Sequence, residues 1–332
     1  MSSSATQLID VQRQPGKPPI MRVETPADVP TWAAEPRDGL RSLVAENGSI
    51  LVRGLGLRDP AQIATVFRTL ANGLVTEREA FAPRQVYSDG VYSSATWPAN
   101  QPMCMHHELS YALEVPSLML FACITPPSVG GATGVADSPS VLRAVPVDLA
   151  ERLGREGWLL TRNYNEDIGA SVAEAFGTDD PDAVEAYCRA NAIDFEWQAD
   201  GGLRTTQRRA AVVRHPRTGE RCWFNQIAFL NEWTIAPEIR EYLVDMYGDD
   251  GLPFNTRFGN GDPITEETVL LLNEVYEANT AREPWQAGDL MLVDNIRTAH
   301  SREAFEGPRE VLVGMADAVK LGTSSTGEVN AA

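Results

Sequence analysis

Short apolar runs rich in β-branched and aromatic residues, each closed off by Gly, Pro or Asp, recur along this chain. They read as strands at residues 49–53, 117–124, 211–214, 289–294 and 310–319. Helices are expected at residues 60–74, 139–153, 181–191, 237–247 and 265–279. Asp180 before Pro181 is a good start signal: the carboxylate can cap free N–H groups, and proline loses nothing at the first helical position. The order is helices near the start, then strands interrupted by helical insertions. No Gly-rich strand–turn–helix fingerprint occurs, which argues against a doubly wound dinucleotide fold. A β-sandwich or barrel with helices packed outside fits the pattern better.

The first 20 residues are Ser-, Gln- and Pro-rich and are expected to be disordered; residues 321–332 are expected to fray. Between them, residues 21–320 show no linker and no internal repeat, so one domain is the simplest organisation. The net charge of −18 argues against a duplex nucleic-acid partner and against a membrane surface, both of which would repel the chain overall. No apolar run approaches the ~20 residues that span a bilayer, and the N-terminus lacks the pattern of a secretion signal, so a cytoplasmic protein is expected. Cys104, Cys123, Cys188 and Cys222 form no CxxC pair and are expected to be free, buried or half-buried thiols.

The chemistry concentrates around the four histidines, His106, His107, His215 and His300. On a strand, residues i and i+2 share a face, so His106 and Glu108 can project together while His107 points away. One imidazole and one carboxylate are two members of a facial triad, and the third must come from elsewhere in the fold. His300 follows the apolar strand at 289–294, at a polar turn, where the mouth of a barrel would lie.

The segment His106-His107-Glu108-Leu109-Ser110-Tyr111 resembles the proximal motif of the TauD/TfdA family of 2-oxoglutarate dioxygenases, in particular its SyrP-like and clavaminate-synthase-like branch. The turn Gly130-Gly131-Ala132-Thr133, the block from His215 to Gln226, and the block from Trp285 through His300 and Arg302 to Arg309 are similar to that family in order and spacing. The resemblance implies a mainly β protein with α insertions, a double-stranded β-helix or jelly roll of clavaminate-synthase-like type, holding one Fe(II). It implies that His106, Glu108 and His300 are the catalytic metal ligands, leaving open positions for 2-oxoglutarate and O2. Oxidative decarboxylation of the co-substrate to succinate and CO2 then supplies an oxidant that removes hydrogen from a substrate carbon. The distal carboxylate of 2-oxoglutarate needs a cation in a partly dry pocket. Arg309, beyond the Gly307-Pro308 turn, matches the family's arginine for it, and Thr133 matches a threonine contacting the same acid.

Among the remaining residues, His107, Asn225 and Arg302 are candidate substrate contacts, and Arg162 and Arg257 are further carboxylate clamps to test. His215 reads as structural, and Trp223, Phe224 and Trp285 as core aromatics. Glu108 stands where related halogenases carry a small residue that leaves room for chloride, which disfavours halogenation. The expected activity is hydroxylation of an amino acid or amino-acid-derived intermediate of specialised metabolism, free or tethered to a carrier protein. The same iron site could instead desaturate, epoxidise or close a ring. A non-redox metal-binding sensor or a zinc hydrolase is the alternative from another class.

Overall fold

The structure, a computed structural model, describes residues 10–165, 167–199 and 201–321. Its largest sheet has seven strands, in the order Ile20–Arg22, Ser49–Arg53, Leu290–Asp294, Glu114–Thr125, Glu310–Lys320, Val91–Ser93 and Val86–Ser88. Only the first pair runs parallel. A four-stranded sheet faces it, in the order Thr280–Ala281, Thr133–Asp137, Thr298–Arg302 and Met103–His106. Met119 and Phe121 of the large sheet and Met105, Val135 and Ala299 of the small one belong to a single buried core. The two sheets therefore form a jelly-roll sandwich whose inner faces meet. A third sheet of Ile193–Trp197, Leu203–Arg209, Trp158–Tyr164 and Phe254–Phe258 extends the molecule.

The strand Glu114–Thr125 explains why the apolar runs look continuous rather than alternating. Met119, Phe121 and Cys123 point into the sandwich, while Leu118, Leu120 and Ala122 point the other way into a second core. That outer core is closed by the helices Arg37–Asn47, through Leu40 and Val44, and Pro60–Leu70, through Ile63, Phe67 and Leu70. With both faces buried, neither set of alternate positions can be polar. Helix and sheet approach so closely that a Cβ on Gly314 would lie 2.6 Å from Phe67 Cδ2.

The structure departs from the sequence-based expectations in four places. The helix expected at 139–153 is two helices, Ser138–Ala144 and Val147–Glu156. Pro146 lacks the N–H that would continue the first, and it pushes Val145 into an extended conformation at φ −64° and ψ 136°. The helices Val29–Ala34 and Arg37–Asn47 and most of the third sheet were not anticipated. The expected disorder of residues 1–20 does not hold for residues 10–20. Gln12 and Ile20 exchange backbone hydrogen bonds of 2.8 and 2.9 Å, and Lys17 reaches Glu283 at 3.0 Å. Finally, His300 lies within the strand Thr298–Arg302 rather than at a turn. Residues 1–9 and the tail at 322–332 lie outside the described residues.

Candidate metal centre and its cleft

His106 ends the strand Met103–His106, and in the antiparallel register it sits directly across from His300. Cross-strand neighbours lie close enough for their side chains to touch, and these two imidazoles are 4.4 Å apart by ring centroid. The chain turns immediately after. Glu108 is therefore not on the strand, as the i, i+2 reading supposed, but in a tight turn in which Leu109 has φ +54°. A non-glycine residue held in that region stores strain, so the surroundings must enforce it. Asn295 does so: its Oδ1 accepts from Glu108 N at 2.8 Å, and its Nδ2 donates to Glu108 O at 2.9 Å and Pro116 O at 2.8 Å.

The turn brings Glu108 Oε2 to 3.5 Å from His300 Nε2 and 4.0 Å from His106 Nε2. His106 Nδ1 lies 2.8 Å from Cys104 O, a carbonyl that can only accept, so Nδ1 carries the proton and Nε2 offers its lone pair toward Glu108. Ligand atoms of the three residues lie within 4.8 Å of one another, and all three are buried. This is the one such group of three or more among the described residues. Burial, then the neighbouring His300, push the His106 imidazole down to about 3. Burial works against ionisation of Glu108, but Arg84 and the two imidazoles hold its carboxyl well below the usual range. At neutral pH, His106 is thus a neutral donor and Glu108 an anion. Phe229 stacks on His106 at 4.7 Å and 22°, and Phe121 meets His300 at 5.2 Å, fixing both rings.

The three residues line a cleft that also exposes Arg84, Ser94, Thr133, Arg302 and Arg309. Arg309 donates from Nε to Gly131 O at 3.0 Å and from one terminal nitrogen to Ser94 Oγ at 3.2 Å. No carboxylate pairs with it among the described residues. Burial, and Arg302 beside it, push its guanidinium down to about 10. A desolvated cation without an anion fits a site built for an acid. Gly131 makes this approach possible, with φ +69° and a position where a Cβ would crowd Pro127 Cγ at 2.6 Å and Arg309 Cδ at 3.2 Å. Thr133 is buried and pairs in register with Arg302.

The chain matches the family described as "Taurine catabolism dioxygenase TauD, TfdA family" over residues 12–316. The chain belongs to the TauD/TfdA family. It is 33% identical to the dapdiamide synthesis protein DdaC of Enterobacter agglomerans over 277 residues, covering 83% of this chain and 84% of that protein. It is 27% identical to a clavaminate synthase-like protein of Arabidopsis thaliana, covering 83% of each chain. Among solved structures, PvcB of Pseudomonas aeruginosa superposes with a TM-score of 0.54 at 17% identity, covering 93% of this chain and 91% of that one. A second structure of PvcB, an iron- and α-ketoglutarate-dependent oxygenase from an isonitrile synthetic pathway, gives 0.53 at 18% identity, covering 92% and 89%. The fold is that of the TauD/TfdA oxygenases, which require Fe(II), 2-oxoglutarate and O2.

In this TauD/TfdA chain the candidate substrate residues fare unevenly. His107 turns away from the cleft, its Nδ1 at 2.5 Å from Asn295 O and its Nε2 at 3.0 Å from Ser138 Oγ. Asn225 spends its side chain on Ala211 O and Ile227 N. Neither lines the cleft. Arg302 does line it, but its terminal nitrogens hold the carbonyls of Trp97, Pro98 and Gln101, and its guanidinium lies 5.0 Å from the Phe305 ring centre. Arg162 holds the carbonyls of Glu79 and Ala80, and neither it nor Arg257 lines the cleft. Arg84, Ser94 and Phe229 reach the site unannounced. They lie in irregular segments where neither periodicity nor a motif marks them. The four cysteines are free, three buried and Cys104 half-buried. No helix among the described residues is long and apolar enough to cross a membrane.

Proposed function

We propose that this TauD/TfdA oxygenase hydroxylates an unactivated carbon of an amino acid or amino-acid-derived biosynthetic intermediate. His106, Glu108 and His300 hold Fe(II), and Arg309 and Thr133 hold 2-oxoglutarate. The observation that carries the reading is the pairing, in one cleft, of a two-histidine, one-carboxylate cluster with a half-buried arginine that has no acid partner among the described residues. A bound ferrous ion with 2-oxoglutarate and O2 supplies the oxidising equivalents. The chain supplies placement. Glu108 and one ring nitrogen each of His106 and His300 would present three donors on one side. Arg309 and Ser94 orient the co-substrate's far carboxylate, and the Phe121, Phe229 and Met103 side chains keep the cleft dry.

The similarity to DdaC, a dapdiamide synthesis protein, supports a biosynthetic substrate related to amino acids. Glu108 at the carboxylate position supports oxygen transfer over halogenation. The test is release of succinate from 2-oxoglutarate under air with Fe(II) and ascorbate, screened over amino acids supplied free and tethered to carrier proteins. Coupled succinate with a product heavier by one oxygen is expected. A product lighter by two hydrogens reassigns the outcome to desaturation or cyclisation, and failure of the metal-loaded protein to bind 2-oxoglutarate overturns the reading.

A further inference from the structure

The two oxygens of Glu108 face different partners. Oε2 looks toward the imidazole nitrogens of His106 and His300, while Oε1 is 3.1 Å from a terminal nitrogen of Arg84. Arg84 is itself fixed from behind, its Nε 3.2 Å from Glu77 Oε2. All three side chains are shut away from water, at 8%, 6% and 4% exposure for Glu77, Arg84 and Glu108. A buried cation between two buried carboxylates is costly to assemble and strongly resists losing a partner, so it fixes the carboxylate it holds. Glutamate's extra methylene, compared with aspartate, would let its carboxylate swing until both oxygens reach a cation, as carboxylates do in larger coordination spheres. In a facial triad the second oxygen would then take one of the positions that 2-oxoglutarate and O2 need.

We propose that Arg84 is a positioning residue that keeps Glu108 a one-oxygen ligand, and that Glu77 sets Arg84 in place. Arg84 thereby reserves coordination positions for the co-substrate without touching it. This rests on the assignment of His106, Glu108 and His300 to Fe(II). It predicts that Arg84 governs 2-oxoglutarate binding and metal binding in opposite directions, which a merely structural bridge would not do.

The experiment is an anaerobic titration of the apo-protein, first with Fe(II) and then with 2-oxoglutarate. Calorimetry reads metal affinity, and the visible charge-transfer absorption of the ternary complex reads co-substrate affinity. Wild type that binds no Fe(II) overturns the metal assignment, and this proposal with it. With wild type competent, the Arg84→Met/Glu77→Met double variant removes the cation together with the carboxylate behind it, and leaves Glu108 to be neutralised by the added metal. It is expected to bind Fe(II) as well as wild type or better, and 2-oxoglutarate about tenfold more weakly, the loss that about 1.4 kcal/mol of binding free energy corresponds to. Arg84→Lys, which keeps one cationic donor for Glu108, is expected to restore most of that loss. If the double variant does not fold, Glu77→Gln must give a smaller shift in the same direction. Unchanged 2-oxoglutarate affinity, or metal and co-substrate affinities falling together, overturns the proposal.

Discussion

Histidine meets a buried carboxylate in two places among the described residues, and only one of them looks like a workplace. His215 Nε2 meets Asp294 Oδ2 at 2.9 Å, closer than either imidazole approaches Glu108. Yet the His215 pair is saturated. His215 Nδ1 accepts from the backbone N–H groups of Arg217 and Thr218, and Asp294 Oδ1 accepts from those of Ile296 and Arg297. Around Glu108 the inventory is left open. Oε2 stands 3.5 and 4.0 Å from the two facing imidazole nitrogens, farther than a saturated pair, and Arg309 nearby has no carboxylate partner among the described residues. Counting partners, rather than measuring the closest approach, separates a site from a brace.

The sharpest way to break this contrast is to exchange the two histidines' fates. His300→Ala is expected to abolish Fe(II) binding and to lower substrate-coupled succinate release at least about a thousandfold, given the cost of losing one member of a catalytic unit. Full turnover with stoichiometric iron in that variant would erase the distinction. Arg309→Ala comes next. Loss of a buried, charge-assisted pair of about 2–3 kcal/mol should raise the 2-oxoglutarate requirement on the order of 100-fold while metal affinity holds. An unchanged co-substrate dependence would make Arg309 a brace as well. His215→Asn is expected to act on the fold alone, lowering unfolding free energy by about 1–3 kcal/mol in denaturant titrations. Weakened iron binding there would contradict the saturated-pair reading.

The smallest effect concerns acid. Burial pushes His106 to about 3 and His107 to about 4, both below an unfolded value near 6.5. Below that unfolded value the unfolded chain binds protons that the native one refuses, so stability is full above it and is lost as pH falls toward 4. The apo-protein should lose at most about 1.4 kcal/mol per pH unit for each of the two imidazoles. His107→Asn should flatten that slope by one proton's share in denaturant melts from pH 6.5 to 4.5. A slope unaffected by that change would mean that His107 titrates freely.

The contrast also explains what the sequence disclosed and what it hid. The runs at 117–124, 289–294 and 310–319 were legible because their strands are buried on both faces, so each reads as solid hydrophobicity. The histidines were legible because imidazole is scarce in this chain and His106 and Glu108 fall two apart. The third sheet was not, because strands such as Leu203–Arg209 carry three arginines and two threonines beside a single apolar residue, with buried Arg209 satisfied by backbone carbonyls alone. Arg84 was invisible for a related reason. Its partners, Glu77 and Glu108, become its neighbours only when the segment before Val86–Ser88 folds over the end of Met103–His106. His107 misled in the other direction, since a histidine beside two candidate ligands draws attention that its full set of partners does not support.

The pairing of His106 with His300 across two neighbouring strands ties chemistry to alignment. Sliding one strand past the other by a single residue would swing one imidazole to the opposite side of the sheet while leaving most backbone hydrogen bonds replaceable. With these two residues as the proposed ligands, the sandwich would serve as a gauge block for the metal. Changes that loosen strand alignment without touching the proposed ligands, at the edge strand Thr280–Ala281 of the same sheet for instance, would be felt as lost catalysis before they were felt as lost folding.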